Sequence, residues 1–136
     1  MSKMNPGVKT EWLARLRDPE TKQCSEVLTK RDEYGVNSFC CLGVLTNIFA
    51  EQVGIEFAGL TTVLRNETTE EVLCESVRDW SGVEEPLPVV HVHRDLLESY
   101  GFVNLVDDTY INKSLADLND NGVPFTAIAD LIEAQL

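Results

Sequence analysis

The chain is short of cations and of the residue patterns that spell out a known chemistry. Eleven Lys and Arg stand against 23 Asp and Glu, for a formal net charge of -12. Such a surface repels a phosphate backbone, which argues against nucleic acid as a partner. There are only two histidines, His91 and His93. None of the four cysteines (Cys24, Cys40, Cys41 and Cys74) lies in a C-x-x-C pair, so the usual zinc spacing is missing. A Gly-rich phosphate loop, a G-x-S-x-G elbow and an H-E-x-x-H helix are likewise missing. No apolar run reaches the ~20 residues that cross a bilayer. The opening Met1-Ser2-Lys3-Met4-Asn5-Pro6 has no apolar stretch of signal-peptide type. These absences predict a cytoplasmic protein with reduced thiols and no membrane partner.

What is present is enough for one folded unit. With 136 residues, 43% of them apolar, a single domain spanning 1–136 is expected. Charge is unevenly placed. Residues 1–31 hold seven Lys and Arg against four Asp and Glu, a balance of +3. Residues 32–136 hold four against nineteen, a balance of -15. The basic stretch with Arg15, Arg17, Lys22, Lys30 and Arg31 is the one place where an anionic ligand finds several cations together.

Periodicity and capping residues outline the elements. Asn5-Pro6 reads as an N-cap and first turn of a helix to about Arg17, with Val8, Trp12, Leu13 and Leu16 on one face. Residues 26–38 have hairpin character. A strongly apolar helix follows over about 39–52; its stripe of Phe39, Cys41, Leu42, Leu45, Ile48 and Phe49 is too wide for a surface helix. A helix is expected over 70–80, a strand over 89–93, a short helix from Arg94 to Tyr100 and a strand over 102–106. Ser114 caps a helix to about Asn121, Gly122 takes the left-handed position, and a last helix starts near Phe125. The predicted class is α+β: a small antiparallel sheet from the hairpin and the later strands, packed against about five helices, with a C-terminal αα-hairpin.

Candidate chemistries are few. His91 and His93 share one face of a strand, which permits metal binding but equally suits a surface pair. A Cys-His nucleophile would need Cys40 or Cys41, and thiols inside an apolar helix are held protonated by burial. Asp117 and Asp120 form an acidic cluster at a helix end, suited to cation binding, acid–base work or plain capping. The closing helix pair superficially resembles a helix-turn-helix. Its last helix carries Asp130 and Glu133 and no cation, so it reads as an αα-hairpin.

Two blocks carry a resemblance: Phe39-Cys40-Cys41-Leu42-Gly43-Val44-Leu45, and Leu118-Asn119-Asp120-Asn121-Gly122 continuing through Phe125 to Ile132. With Trp12, Leu16-Arg17, Lys22-Gln23, Leu28 and Trp80, they resemble a family of small phage and prophage proteins. Residues 55–71 and 89–113 have no counterpart in that pattern, and Cys24 stands where it has glycine. The resemblance implies a phage accessory protein, and such proteins often counter host defence inside the bacterial cell.

Three roles follow. The first is a binding protein that sequesters a small nucleotide-derived immune signal. Arg17, Lys22 and Gln23 would meet phosphate or ribose, Asn119 and Asp120 ribose or base, and Trp12 would stack unless it belongs to the core. Homo-oligomerisation would be natural for such a site. The second is an acidic inhibitor docking on a basic host defence enzyme. The third is an enzyme that degrades the signal through Asp117, Asp120 or a histidine. No cofactor is called for.

Overall fold

A computed structural model describes residues 4–24, 29–31, 33–54, 75–85 and 87–136. The architecture is α+β, with six helices and four short strands among these residues. Helix α1 is Pro6–Arg17; Asn5 caps it through its side-chain oxygen, which accepts from Gly7 N and Val8 N, and proline stands at its first position. Strands β1 (Thr29–Arg31) and β2 (Asn37–Phe39) pair antiparallel, with Lys30 opposite Ser38. Helix α2 is Cys41–Val53. Its N-cap is Cys40, whose Sγ accepts from Gly43 N at 3.3 Å. Gly54 at φ 77° closes it in the left-handed region that glycine enters freely.

Helix α3 (Glu75–Ser81) follows, then β3 (Val89–His93) and α4 (Arg94–Ser99). Strand β4 (Tyr110–Ser114) pairs antiparallel with β3. Helices α5 (Leu115–Asp120) and α6 (Phe125–Gln135) form the C-terminal pair.

One apolar cluster joins the helices. Helix α2 sits at its centre, with Cys41, Leu42, Leu45 and Ile48 at 1% exposure or less. Trp12 from α1, Leu97 from α4, Leu118 from α5 and Ile128 from α6 surround it, as do Val90 and Val92 from β3. A fully buried Leu or Ile contributes about 1.5–3 kcal/mol by leaving water, which makes this helix the main source of cohesion. An edge-on contact of Phe49 with Trp80, centroids 5.4 Å apart, fastens α3 to α2. Helix α1 lies along α6 on the other side, where Lys9 Nζ donates to Glu133 O at 3.1 Å.

Three expectations shift. The strands form two separate two-stranded sheets rather than one. The expected strand over 102–106 is irregular, with Asn104 at φ 57°, and the strand that pairs with β3 is 110–114. Tyr-Ile-Asn-Lys has the alternation of a half-buried strand, and it ends directly in the Ser114 cap. Phe39 belongs to β2 and not to the central helix, which starts two residues later. The expected hairpin residues 26–28, the start of the 70–80 helix and segment 55–68 lie outside the described residues.

Candidate functional site

Of the residues expected at a ligand site, Gln23 and Asn119 meet, and they are spent on each other and on the main chain. Asn119, on α5, is buried at 1% exposure. Its Oδ1 accepts from Gln23 Nε2 at 2.8 Å and from Cys41 N at 3.2 Å. Its Nδ2 donates to Cys24 O at 2.7 Å. Gln23 Nε2 also donates to Val123 O at 2.9 Å. Two N–H donors at the oxygen and one carbonyl at the nitrogen fix which way the amide points. Asn119 therefore caps the first turn of α2 from across the fold and ties the 22–24 segment to the C-terminal helix pair. This is an internal knot: the oxygen accepts twice, one N–H is used, and the side chain is buried rather than presented to a ligand.

Trp12 is a core residue, a correction to its stacking role. It is fully buried, with Nε1 donating to Cys41 O at 2.9 Å, so neither ring face reaches solvent. Arg17 is exposed and turned toward α6, donating to Asp130 Oδ1 at 2.9 Å and Glu133 Oε2 at 3.2 Å. The hydrogen bonds to Glu133 and Asp130 raise its guanidinium pKa above the ordinary value. Its charge is already answered, away from the loop it was expected to serve. Asp120 is exposed at the end of α5.

Lys22 lines a cleft of about 320 Å³ between the C-terminal end of α1, the 18–22 loop, β2 and α2. Hydrogen bonds from Cys24 N to Phe39 O and from Phe39 N to Lys22 O, both 2.8 Å, hold the loop beside β2. Around Lys22 stand Glu20, Asn37, Asn47, Phe39 and Val44. Arg15 reaches the same cleft, with Nη2 2.7 Å from Glu51 Oε2 and Nε 3.0 Å from Glu11 Oε1. The bond to Glu51 is the main cause that raises its pKa. Asp18 Oδ1 accepts from Glu20 N at 2.9 Å and shapes the turn. Lys22 makes no ion pair among the described residues.

The cleft thus offers an exposed ammonium, two carboxylates, two amides and an apolar wall. A volume near 300 Å³ is the lower end of the range for small-molecule sites. Sequence reasoning found Lys22 and the basic stretch holding Arg15, but missed Asn37 and Asn47. Asn37 reads as a turn residue. Asn47 carried a usable signal: it is an amide in the middle of the most apolar helix among the described residues.

The other candidates separate. His91 and His93 lie on the solvent face of β3, with His93 edge-on to Tyr110 at 5.3 Å between centroids. His93 Nδ1 accepts from Asp95 N at 3.1 Å and caps α4. Asp117 receives the Ser114 cap at its N–H, and its carboxylate meets Lys113 at 3.5 Å and Asn121 Nδ2 at 3.1 Å. These groups do not line the cleft with Lys22. Among the described residues no three His, Cys, Asp or Glu side chains gather as a metal set. The thiols of Cys24, Cys40 and Cys41 are buried and unbridged. No helix among these residues is long and apolar enough to cross a membrane.

Comparison with known proteins adds one relationship. No curated protein and no solved structure matches the chain. One family model, described as a domain of unknown function (DUF8296), matches residues 4–136, which is nearly the whole length. The chain belongs to the DUF8296 family.

Proposed function

We propose that this protein is a phage accessory protein of the host bacterial cytoplasm that binds, without transforming, a small nucleotide-derived ligand in the cleft beside Lys22. The observation that carries this reading is the lining itself. Lys22 supplies a cation for phosphate, and Glu20 an acceptor for ribose hydroxyls. Asn37 and Asn47 supply paired donor and acceptor groups for a base edge, and Phe39 and Val44 an apolar wall. The same chemistry was expected from Arg17, Gln23, Asn119, Asp120 and Trp12. In this reading neighbours of Lys22 take those roles instead. Asp117, Asp120, His91 and His93, the groups weighed for acid–base work, do not line this cleft, which supports capture over a reaction run by them. Sequestering a host immune signal would make the protein an anti-defence factor.

Calorimetric titration with ADP-ribose and with a cyclic dinucleotide tests the reading. Saturable binding of one of them by the wild-type chain, lost in Lys22→Glu and kept in Arg17→Ala, supports it. Binding that survives Lys22→Glu, or that Arg17→Ala abolishes, places the ligand elsewhere.

A further inference from the structure

The β3–β4 ribbon has two edges, and the molecule treats them differently. Leu115 N donates to Pro88 O at 2.9 Å and Arg94 N to Thr109 O at 2.8 Å, so these pairs bracket the ladder as hydrogen-bonded pairs. Antiparallel pairing alternates, so Val90 with Lys113 and Val92 with Ile111 face each other across the ladder. The main-chain groups of His91 point away on one edge, and those of Tyr110 and Asn112 on the other. The His91 edge is closed by a side chain. His91 N donates to Gln135 Oε1 at 2.7 Å, and Gln135 Nε2 donates back to His91 O at 2.8 Å. That carboxamide reproduces the pair of bonds a neighbouring strand would make. Among the described residues nothing does this for Asn112.

We infer that the outer edge of β4 is a docking strand for a basic, extended segment of a partner protein. Three observations select that occupant. The first is the open edge, a template for strand addition. The second is apolar anchorage beside it. Tyr110 is 62% exposed, and the preceding loop holds Val106 at 59% and Val103 at 75%. Phe102, lying under the Lys113 ammonium at 5.1 Å, keeps that loop against β4.

The third is charge. Residues 75–136 carry twelve acidic side chains against Arg78, Arg94 and Lys113. Arg94 is taken by Glu98 and Asp107 at 3.0 Å each, and Lys113 by Asp117 at 3.5 Å. Arg78 Nη1 donates to Glu84 O at 3.4 Å. Asp95, just after β3, and Asp108, just before β4, remain exposed. Lysine often guards such an edge by projecting from it, but Lys113 is folded down onto Phe102 and Asp117. A second copy of this chain would bring a second charge of -12 to the same edge, so a basic partner is favoured. This surface is separate from the Lys22 cleft and does not depend on its ligand.

The test uses the full chain and a labelled octapeptide of alternating lysine and valine, with its glutamate–valine counterpart as control. The lysine peptide should bind saturably, weaken as salt rises, and slow hydrogen exchange at the Asn112 and Tyr110 amides. Asn112→Pro removes an outward N–H without touching a bond to β3, so the variant should fold and lose the peptide. Asp108→Lys, which leaves the backbone alone, should weaken binding several-fold. Equal binding of both peptides, binding that persists in a folded Asn112→Pro variant, no binding of the lysine peptide, or dimerisation through this edge would each overturn the inference.

Discussion

An Asn119→Leu variant keeps the side-chain volume and removes the three hydrogen bonds that Asn119 makes with Gln23, Cys24 and Cys41. Two buried main-chain groups then lose the amide: Cys41 N–H, now 3.2 Å from the amide oxygen, and Cys24 C=O, now 2.7 Å from the amide nitrogen. Taking a partner from a buried polar group costs ~1–3 kcal/mol, so the variant should lose ~2–6 kcal/mol. Against a total of ~5–15 kcal/mol for a domain of ordinary stability, that is a large fraction. Gln23→Ala removes a different share. Gln23 is exposed, and Asn119 keeps its bonds to Cys41 and Cys24, so the loss should stay near ~1 kcal/mol. Urea unfolding followed by the fluorescence of buried Trp12 measures both. A loss below ~1 kcal/mol for Asn119→Leu, or one no larger than for Gln23→Ala, would refute the reading of Asn119 as a structural knot.

Other expectations follow the same logic. Leu42→Ala, at a fully buried position of α2, should cost ~2–5 kcal/mol in chemical denaturation, and Leu42→Asp should prevent soluble folding. Trp12→Phe removes one of the donors to Cys41 O, the 2.9 Å indole N–H, and should lower stability by ~0.5–1.5 kcal/mol in the same assay. Arg17→Ala breaks exposed pairs with Asp130 and Glu133, so its melting temperature should match that of wild type at moderate salt. Gln135→Ala uncovers the His91 edge and should speed hydrogen exchange at the His91 amide with little change at Val90 or Val92.

Much of the fold was legible in the residues because local signals and burial agree there. The Asn5-Pro6 start, the apolar run after Phe39 and the Ser114 cap with Gly122 each combine a backbone preference with a matching face. Strand β4 was not legible. Its alternation spans only five residues, and its pairing with Val89–His93 is set by register across the fold, which no local pattern encodes. The site was half legible for a similar reason. Polar residues in two distant blocks mark Gln23 and Asn119 as special, and the structure does bring them together. Sequence cannot say whether such groups face a ligand or each other, since the answer depends on 0.3 nm geometry between segments ~100 residues apart. Lys22 was identified because it stands in a cationic stretch, whereas Asn37 and Asn47 reach its cleft only through the packing of β2 on α2.

Capture without turnover at the Lys22 cleft is the central claim, and one measurement addresses it directly. A pool of nucleotides containing cyclic and ADP-ribose-derived species is incubated with the wild-type chain and with Lys22→Glu. The free fraction, and then the material released by heating, are read by mass spectrometry. One species depleted by the wild type, recovered intact on heating and left in solution by Lys22→Glu is the expected result. Conversion of any species to a product, depletion that Lys22→Glu retains, or no depletion at all would contradict the claim.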